Sequence, residues 1–303
     1  MTTTESWTIQ KLLNWVTEYL KNKGIDSPRL SAELLLSYVL GLKRIELYTQ
    51  FNKIVEQEQL TQLRELVKCA AGHEPIAYLT GKKEFYSLEL EITKDCLIPR
   101  PETELLVERA IEFLRTRGGE QSVCDLCTGC GCIAVSIARN FADCRIVATD
   151  ISDAALEVAA RNVKQYGLDN RVKLLQGDLF EPIIAGLPVQ RSVSEVGDPA
   201  KFDLIVCNPP YVSEPEFEKL AKNVRDFEPR QALAAGVDGL DIIKRLIANA
   251  NQHLKPAAAL MLEIGNEQGE AVRRMLEDTG RFDTIKIEKD YQKLDRLAIA
   301  VTK

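Results

Sequence analysis

Two short stretches carry residue types whose spacing could do chemistry. The first is Asn208-Pro209-Pro210-Tyr211, placed directly after the apolar run Asp203-Leu204-Ile205-Val206-Cys207. Proline has no N–H to donate, and a Pro pair holds an extended backbone whose carbonyls stay free to accept. The Asn208 side-chain oxygen and the Pro209 carbonyl can then take the two N–H bonds of a planar amino or amide group and fix where its nitrogen points. Tyr211 offers a ring to stack on such a flat acceptor. The bland alternative is a Pro-rich turn with a core tyrosine.

The second stretch is Asp125-Leu126-Cys127-Thr128-Gly129-Cys130-Gly131-Cys132, a strand entering a turn of small residues, followed by the helix-like Ile133–Ala138. Small residues let a backbone approach a ligand, and the N–H groups of a helix start face it. About 20 residues on, Ile146-Val147-Ala148-Thr149-Asp150 places a carboxylate at a strand end, where it can accept ribose hydroxyls. The loop departs from the GxGxxG fingerprint of dinucleotide sites; a shorter turn suits S-adenosylmethionine, which has no pyrophosphate to cradle. Asp178-Leu179, after a third strand, could hold an adenine ring, or could equally be a polar loop. A sulfonium is an already activated leaving group, so methyl transfer to an amide nitrogen needs no base of shifted pKa. That suits a chain whose histidines are His73 and His253.

These residues need a scaffold to position them. Candidate strands are Val123–Leu126, Arg145–Asp150, Val172–Gln176, Phe202–Cys207, Ala257–Ile264, Thr284–Glu288 and Leu297–Val301, with helical segments between most of them. Such alternation predicts an α/β fold with a mainly parallel sheet covered on both faces. Upstream, Ile9, Leu12, Leu13, Val16 and Leu20 recur on one helix face, and Leu30, Leu34 and Leu35 do so after Ser27-Pro28, a cap followed by Pro at the first helical position. A third pattern, Leu60, Leu63, Leu66 and Val67, ends at Gly72. These predict a helical domain over 1–75, suited to recognising a protein surface. A linker over 76–104 contains a β-hairpin with Phe85, Leu88, Leu90 and Ile92 as its apolar members, and the α/β domain fills 105–303. Residues 187–201 read as a polar surface loop.

Bulk properties narrow the function class. The chain has 303 residues, 45% hydrophobic and 28% charged, as in ordinary globular proteins. Its net charge of −6 argues against a domain that coats nucleic acid, so no direct nucleic-acid partner is expected. No run of about 20 apolar residues occurs and the start MTTTESW lacks the pattern of a signal peptide, which predicts a cytoplasmic chain without a membrane partner. Oligomeric state is not legible. Cys124, Cys127, Cys130 and Cys132 superficially suggest an iron–sulfur or zinc protein. Yet Cys124 falls within a predicted strand and Cys132 at a helix start, so the thiols read as small buried residues and no metal is expected.

Taken together, Asp125 to Asp150 and Asn208 to Tyr211 resemble the class I methyltransferases. The segments Gly81–Phe85, Ile98–Glu104 and Glu228–Leu233 more closely resemble the release-factor glutamine methyltransferase family (PrmC/HemK). That resemblance implies a Rossmann-like seven-stranded sheet whose last strands are antiparallel, behind a helical domain and a hairpin linker. It implies methylation, on N5, of the glutamine in the GGQ loop of class I peptide-chain release factors during translation termination. It would place the cofactor on Cys127, Thr128, Gly129, Cys130, Gly131, Asp150, Asp178, Leu179 and Asn208, and the acceptor on Asn208, Pro209, Pro210 and Tyr211, with Pro99, Arg100 and Glu102 bordering the site. The chain departs from the family in carrying Cys127 and Cys130 where Gly and Ser are common, and in a longer 187–201 loop. A nucleic-acid amino-methyltransferase acting on adenine or cytosine is the rival reading, because an exocyclic amine poses the same hydrogen-bond problem.

Overall fold

The computed structural model describes residues 6–184 and 201–303, so residues 187–200 of the expected surface loop lie outside it. The chain forms two compact units: one runs to Lys82 and includes Ala221–Phe227, the other comprises Lys83–Leu220 and Glu228–Lys303.

The first unit is helical, with α1 (Ile9–Asn22), α2 (Pro28–Leu40), α3 (Arg44–Thr49), α4 (Gln57–Ala71) and α5 (Ile76–Thr80). Leu13, Val16 and Leu20 of α1, Leu35 of α2, and Leu63 and Val67 of α4 share one core as expected, but on α2 it is Leu36 that joins Leu35 there, while the expected Leu30 is 40% exposed. Thr8 caps α1 by accepting from the Lys11 N–H at 3.3 Å. Ser27 stands at the start of α2 as expected, with Pro28 behind it, but it does not cap with its side chain. Its backbone is left-handed (φ 49°) rather than extended, and the extended form is the one that brings a cap hydroxyl back to the first turn. Helices α3 and α5 were not legible, being too short to show a period. α5 groups with the helical unit, although the sequence reading leaves its residues in the linker.

In the second unit the hairpin strands β1 (Lys82–Phe85) and β2 (Leu88–Glu91) precede α6 (Thr103–Arg115). Then follow β3 (Gln121–Leu126), α7 (Cys132–Asn140), β4 (Cys144–Asp150), α8 (Asp153–Gln165), β5 (Val172–Gln176), α9 (Glu181–Ile184) and β6 (Phe202–Cys207). After the short helix α10 (Glu214–Phe217), and α11 (Lys222–Arg225), which belongs to the first unit, the chain continues through α12 (Asp241–Ala250), β7 (Leu254–Glu263), α13 (Gly269–Asp278), β8 (Phe282–Lys289) and β9 (Asp295–Thr302). Seven strands form one sheet in the order β5-β4-β3-β6-β7-β9-β8. The first five neighbours pair in parallel, and β9 pairs antiparallel with both β7 and β8. Every residue of β6 is buried, the burial of a central strand with both faces covered.

β7 begins earlier than the expected Ala257. Its pairing with β6 shifts register between Phe202 and Leu204, and Ala257 takes a left-handed φ of 54° at this irregularity. The order reverses at β3: the chain steps outward to β5, then returns to β6 on the other side. Such a switch point leaves a crevice beyond the carboxyl ends of the strands.

Candidate active site

A cleft of about 210 Å³ opens at those carboxyl ends. Cys127, Thr128, Gly129 and Cys130 reach it from the loop after β3, Asp150 from the end of β4, Asp178 and Leu179 from the turn after β5, and Asn208 and Pro210 from the segment after β6. Pro99 also lines it. Residues far apart in sequence, singled out for two different chemical tasks, thus share one cavity. Gly131, Pro209, Tyr211, Arg100 and Glu102 are outside the lining. Gly131 instead precedes α7 with a φ of 80°, and a Cβ there would come within 3.2 Å of Ala159, so this glycine serves close packing against α8.

The loop after β3 is fixed by its own backbone and by Asp150. The Thr128 N–H donates to the Thr149 carbonyl at 3.0 Å, and the Gly129 N–H to Asp150 Oδ2 at 2.8 Å. Asp150 Oδ1 accepts from the Ser152 N–H at 2.9 Å. Burial raises the Asp150 pKa, and the Ser152 and Gly129 N–H groups oppose that rise. Each carboxylate oxygen has a further lone pair, so the group can accept ribose hydroxyls without giving up the loop. Gly129 is left-handed (φ 56°) with open space where a Cβ would stand, a backbone that a ligand can approach closely. Cys127 holds the same left-handed φ of 56° without glycine's freedom.

Beneath this loop Asp125 is fully buried. Its Oδ2 accepts from the Thr128 hydroxyl at 2.6 Å and from the Ala134 N–H at 3.1 Å, whereas Oδ1 has no partner. Burial pushes its pKa up to about 7 despite those two donors. Asp178 Oδ2 pairs with Arg245 at 2.6 Å, and both residues line the cleft.

Cys124 is buried in β3 and Cys132 opens α7, all eight cysteines are free, and among the described residues no group of three His, Cys, Asp or Glu could hold a metal ion. His253 stacks on Phe180 at 4.5 Å and is not part of the cleft wall.

The segment after β6 is braced from behind. Asn208 Nδ2 donates to Thr103 Oγ1 at 3.2 Å, and the Tyr211 hydroxyl donates to Glu263 Oε1 at 3.1 Å. Gln268 Nε2 holds the Tyr211 carbonyl at 2.9 Å. The expected stacking role of Tyr211 therefore meets a different placement: its hydroxyl is tethered inward, and burial with the nearby Glu263 charge raises its pKa. Thr103 and Glu263 were missed by sequence reasoning. Glu263 had a signal, since it is a lone carboxylate ending an apolar strand just as Asp150 is.

A third missed residue joins two cleft walls. Glu228 accepts from the Ile98 N–H at 3.1 Å and from Arg100 Nη2 at 2.5 Å, with its own carboxylate almost wholly buried. Leu97 and Pro99 line one side of the cleft, and Pro229, Gln231 and Ala232 another. The Arg100 guanidinium thus fastens the wall.

Comparison with known proteins places this geometry. The family model of the PrmC N-terminal domain matches residues 11–81, and that of the methyltransferase small domain matches residues 102–225. The catalytic domain of hMettl16 in complex with an RNA hairpin shares the fold, with a TM-score of 0.53 at 16% identity over 83% of this chain and 84% of that one. The release factor glutamine methyltransferase of Rhodopirellula baltica is 40% identical over 294 residues, spanning 96% of this chain and 95% of its own. That of Geobacter sulfurreducens is 40% identical over 293 residues, spanning 97% and 96%. Likeness of that degree from end to end, over a cleft that gathers Asp150 and Asn208, means that the chain belongs to the release factor glutamine methyltransferase family.

Proposed function

We propose that this protein transfers the methyl group of S-adenosylmethionine to the N5 amide nitrogen of the glutamine in the GGQ motif of class I peptide-chain release factors. The observation that carries the reading is the joint lining of one cleft by Asp150 with its glycine-bearing loop and by Asn208 with Pro210. Bound adenosylmethionine supplies a methyl group on a positively charged sulfur, which departs as a neutral thioether. In this reading Asp150 accepts the ribose hydroxyls, Asp178 and Leu179 border the adenine, and residues 127–131 approach the amino-acid portion.

Asn208, Pro209, Pro210 and Tyr211 form the acceptor segment. An amide nitrogen is a weak nucleophile because its lone pair is delocalised into the carbonyl. Asn208 Oδ1 and the Pro209 carbonyl hold its two hydrogens, favouring the twist that frees the lone pair and aiming it along the transfer line. As the N–C bond forms the nitrogen sheds one proton, which solvent can take, so no histidine is required. Pro99 borders the acceptor's path, and Arg100 acts on it indirectly, through Glu228. Glu102, at the start of α6, flanks the same segment. The helical domain is assigned the recognition of the release-factor surface.

The reading is tested by methyl transfer to purified release factor from labelled adenosylmethionine, with nucleic acid as the competing acceptor. Label on the GGQ glutamine supports it. Label on DNA or RNA alone refutes the acceptor assignment and leaves the cofactor assignment in place.

A further inference from the structure

A carboxamide side chain can donate two hydrogen bonds from its nitrogen and accept at its oxygen within one planar group. Asn162, on α8, uses all of this while wholly buried. Its Nδ2 donates to the Cys130 carbonyl at 2.9 Å and to the Glu91 carbonyl at 3.0 Å, and its Oδ1 accepts from the Glu91 N–H at 2.7 Å. The two bonds to Glu91 imitate a neighbouring strand at the end of β2, and the remaining hydrogen reaches the loop after β3. The orientation is fixed, because a flipped amide would set its NH2 against an N–H and its oxygen against two carbonyls. The Cys130 carbonyl belongs to the same peptide group as the Gly131 N–H, which donates to the Thr128 carbonyl at 2.9 Å. That group is therefore held at both ends, by the loop itself and by α8. Ala159, one turn before Asn162, meets the same loop where Gly131 packs on it. Beyond Glu91 the chain runs within six residues into Asp95, Cys96 and Leu97, which line the cleft.

We propose that Asn162 is a positioning residue that locks the cofactor loop to the end of β2, so that one buried amide sets the loop's grip on the cofactor and its spacing from the wall that follows β2. Asn162 is outside the cleft lining and acts through Cys130, which is part of it. Side chains of similar size cannot replace it. An ionised Asp has no donor and would confront two carbonyl oxygens, and Leu fills the volume but leaves two carbonyls and an N–H unpaired where water does not reach. Other ties join α8 to the hairpin: Arg161 pairs with Glu91 at 2.6 Å, and Gln165 Nε2 and the Tyr166 hydroxyl each donate to the Glu89 carbonyl at 2.8 Å. These three ties are solvent-exposed and fasten the hairpin without reaching the loop. Asn162 is the tie that does both.

The inference rests on the cofactor role proposed for residues 127–131, and its test separates the two. Asn162→Leu and Asn162→Asp should each raise the Kd for S-adenosylhomocysteine, measured by calorimetry, at least about fivefold. Both should also move the Gly131 amide 15N resonance with no ligand present, because the carbonyl of that peptide group has lost its donor. Gln165→Ala combined with Tyr166→Phe is the control. It loosens the same helix and hairpin and should lower Tm, with the Kd and the Gly131 resonance as in wild type. A smaller rise in Kd for Asn162→Leu overturns the proposal, as does a control variant that weakens binding as much. Failure of the wild-type enzyme to bind S-adenosylhomocysteine would instead refute the cofactor role, and the Gly131 resonance would still decide whether Asn162 fixes the loop: an unmoved resonance overturns it. Should neither Asn162 variant fold, hydrogen exchange of the wild-type enzyme carries the decision. Saturating S-adenosylhomocysteine should slow exchange of the Glu91 N–H, which is outside the cleft lining, because sites that share one clamp stabilise each other. An unchanged rate overturns the proposal.

Discussion

Replacing Glu228 with alanine should loosen the cleft wall and destabilise the α/β unit together. The wild-type carboxylate accepts from the Ile98 N–H at 3.1 Å and from Arg100 at 2.5 Å. Ile98 is itself buried, so its amide would be left without a partner in a place water does not reach, at about 1–3 kcal/mol. Arg100 keeps 29% side-chain exposure and can turn to solvent, which limits its share to that of a surface pair, about 1 kcal/mol. The sum is about 2–4 kcal/mol, or roughly 5–15 °C in Tm for a unit of this size. Glu228→Gln retains an acceptor for Ile98 and should lose only the charged part, about 1 kcal/mol. Urea and thermal unfolding of the three proteins give the stability. Steady-state kinetics give the second readout, a KM for the acceptor raised more by alanine than by glutamine, because Pro99 and Pro229 sit on the two walls that Glu228 joins. An alanine variant within 0.5 kcal/mol of wild type by the same unfolding curves, with unchanged KM, would refute the clamp, since that is the scatter of an ordinary surface substitution.

Three further outcomes follow from the same geometry. Asp150→Ala removes two charge-assisted acceptors from the ribose, about 1.5–3 kcal/mol each, so the Kd for S-adenosylhomocysteine measured by calorimetry should rise at least about 100-fold; a change below fivefold would contradict the ribose assignment. Asp125 has a folded pKa raised by burial to about 7, above its unfolded value near 3.8. Between those two values the folded chain binds the extra proton, so stability should fall as pH rises from about 4 to 7, by up to about 1.4 kcal/mol per unit. Asp125→Asn should flatten that slope in unfolding curves taken across the range, and an unaltered slope would exclude Asp125 as its source. Gly239 has a φ of 72°, and a Cβ there would stand 2.3 Å from the Tyr211 carbonyl oxygen. Gly239→Ala should therefore cost about 1–3 kcal/mol and displace the acceptor segment, lowering kcat; full activity at wild-type Tm would mean the segment yields freely.

What could be read from the sequence divides by how local the signal is. The apolar runs of β3, β4 and β6 and the residues that leave their ends, Gly129, Asp150 and Asn208, announce themselves within about ten residues each. These runs therefore pointed to both the sheet and the cleft's principal lining. Helices α3 and α5 are shorter than two turns and show no period. Ser27 shows the opposite failure: it is a cap by identity and position, but its left-handed backbone turns the hydroxyl away from the task. The irregularity at Ala257 depends on pairing with β6, some 50 residues upstream, and leaves no mark in β7 alone.

The braces behind the site were hidden for the same reason. Glu228 meets Ile98 across 130 positions, Asn208 meets Thr103 across 105 and Tyr211 meets Glu263 across 52. No local pattern encodes such pairs, so several residues that line the cleft were legible while those that brace them were not. Tyr211 shows the consequence. Read alone it is a stacking ring, and read with Glu263 it is an anchored strut.

The central claim is tested most directly by mass spectrometry of release factor incubated with this enzyme and S-adenosylmethionine. The account predicts a single methyl group on the GGQ glutamine, absent when that glutamine is alanine and absent with Asn208→Ala enzyme that still binds S-adenosylhomocysteine. Methylation that persists in the Asn208→Ala enzyme, or that falls on another residue, would contradict it.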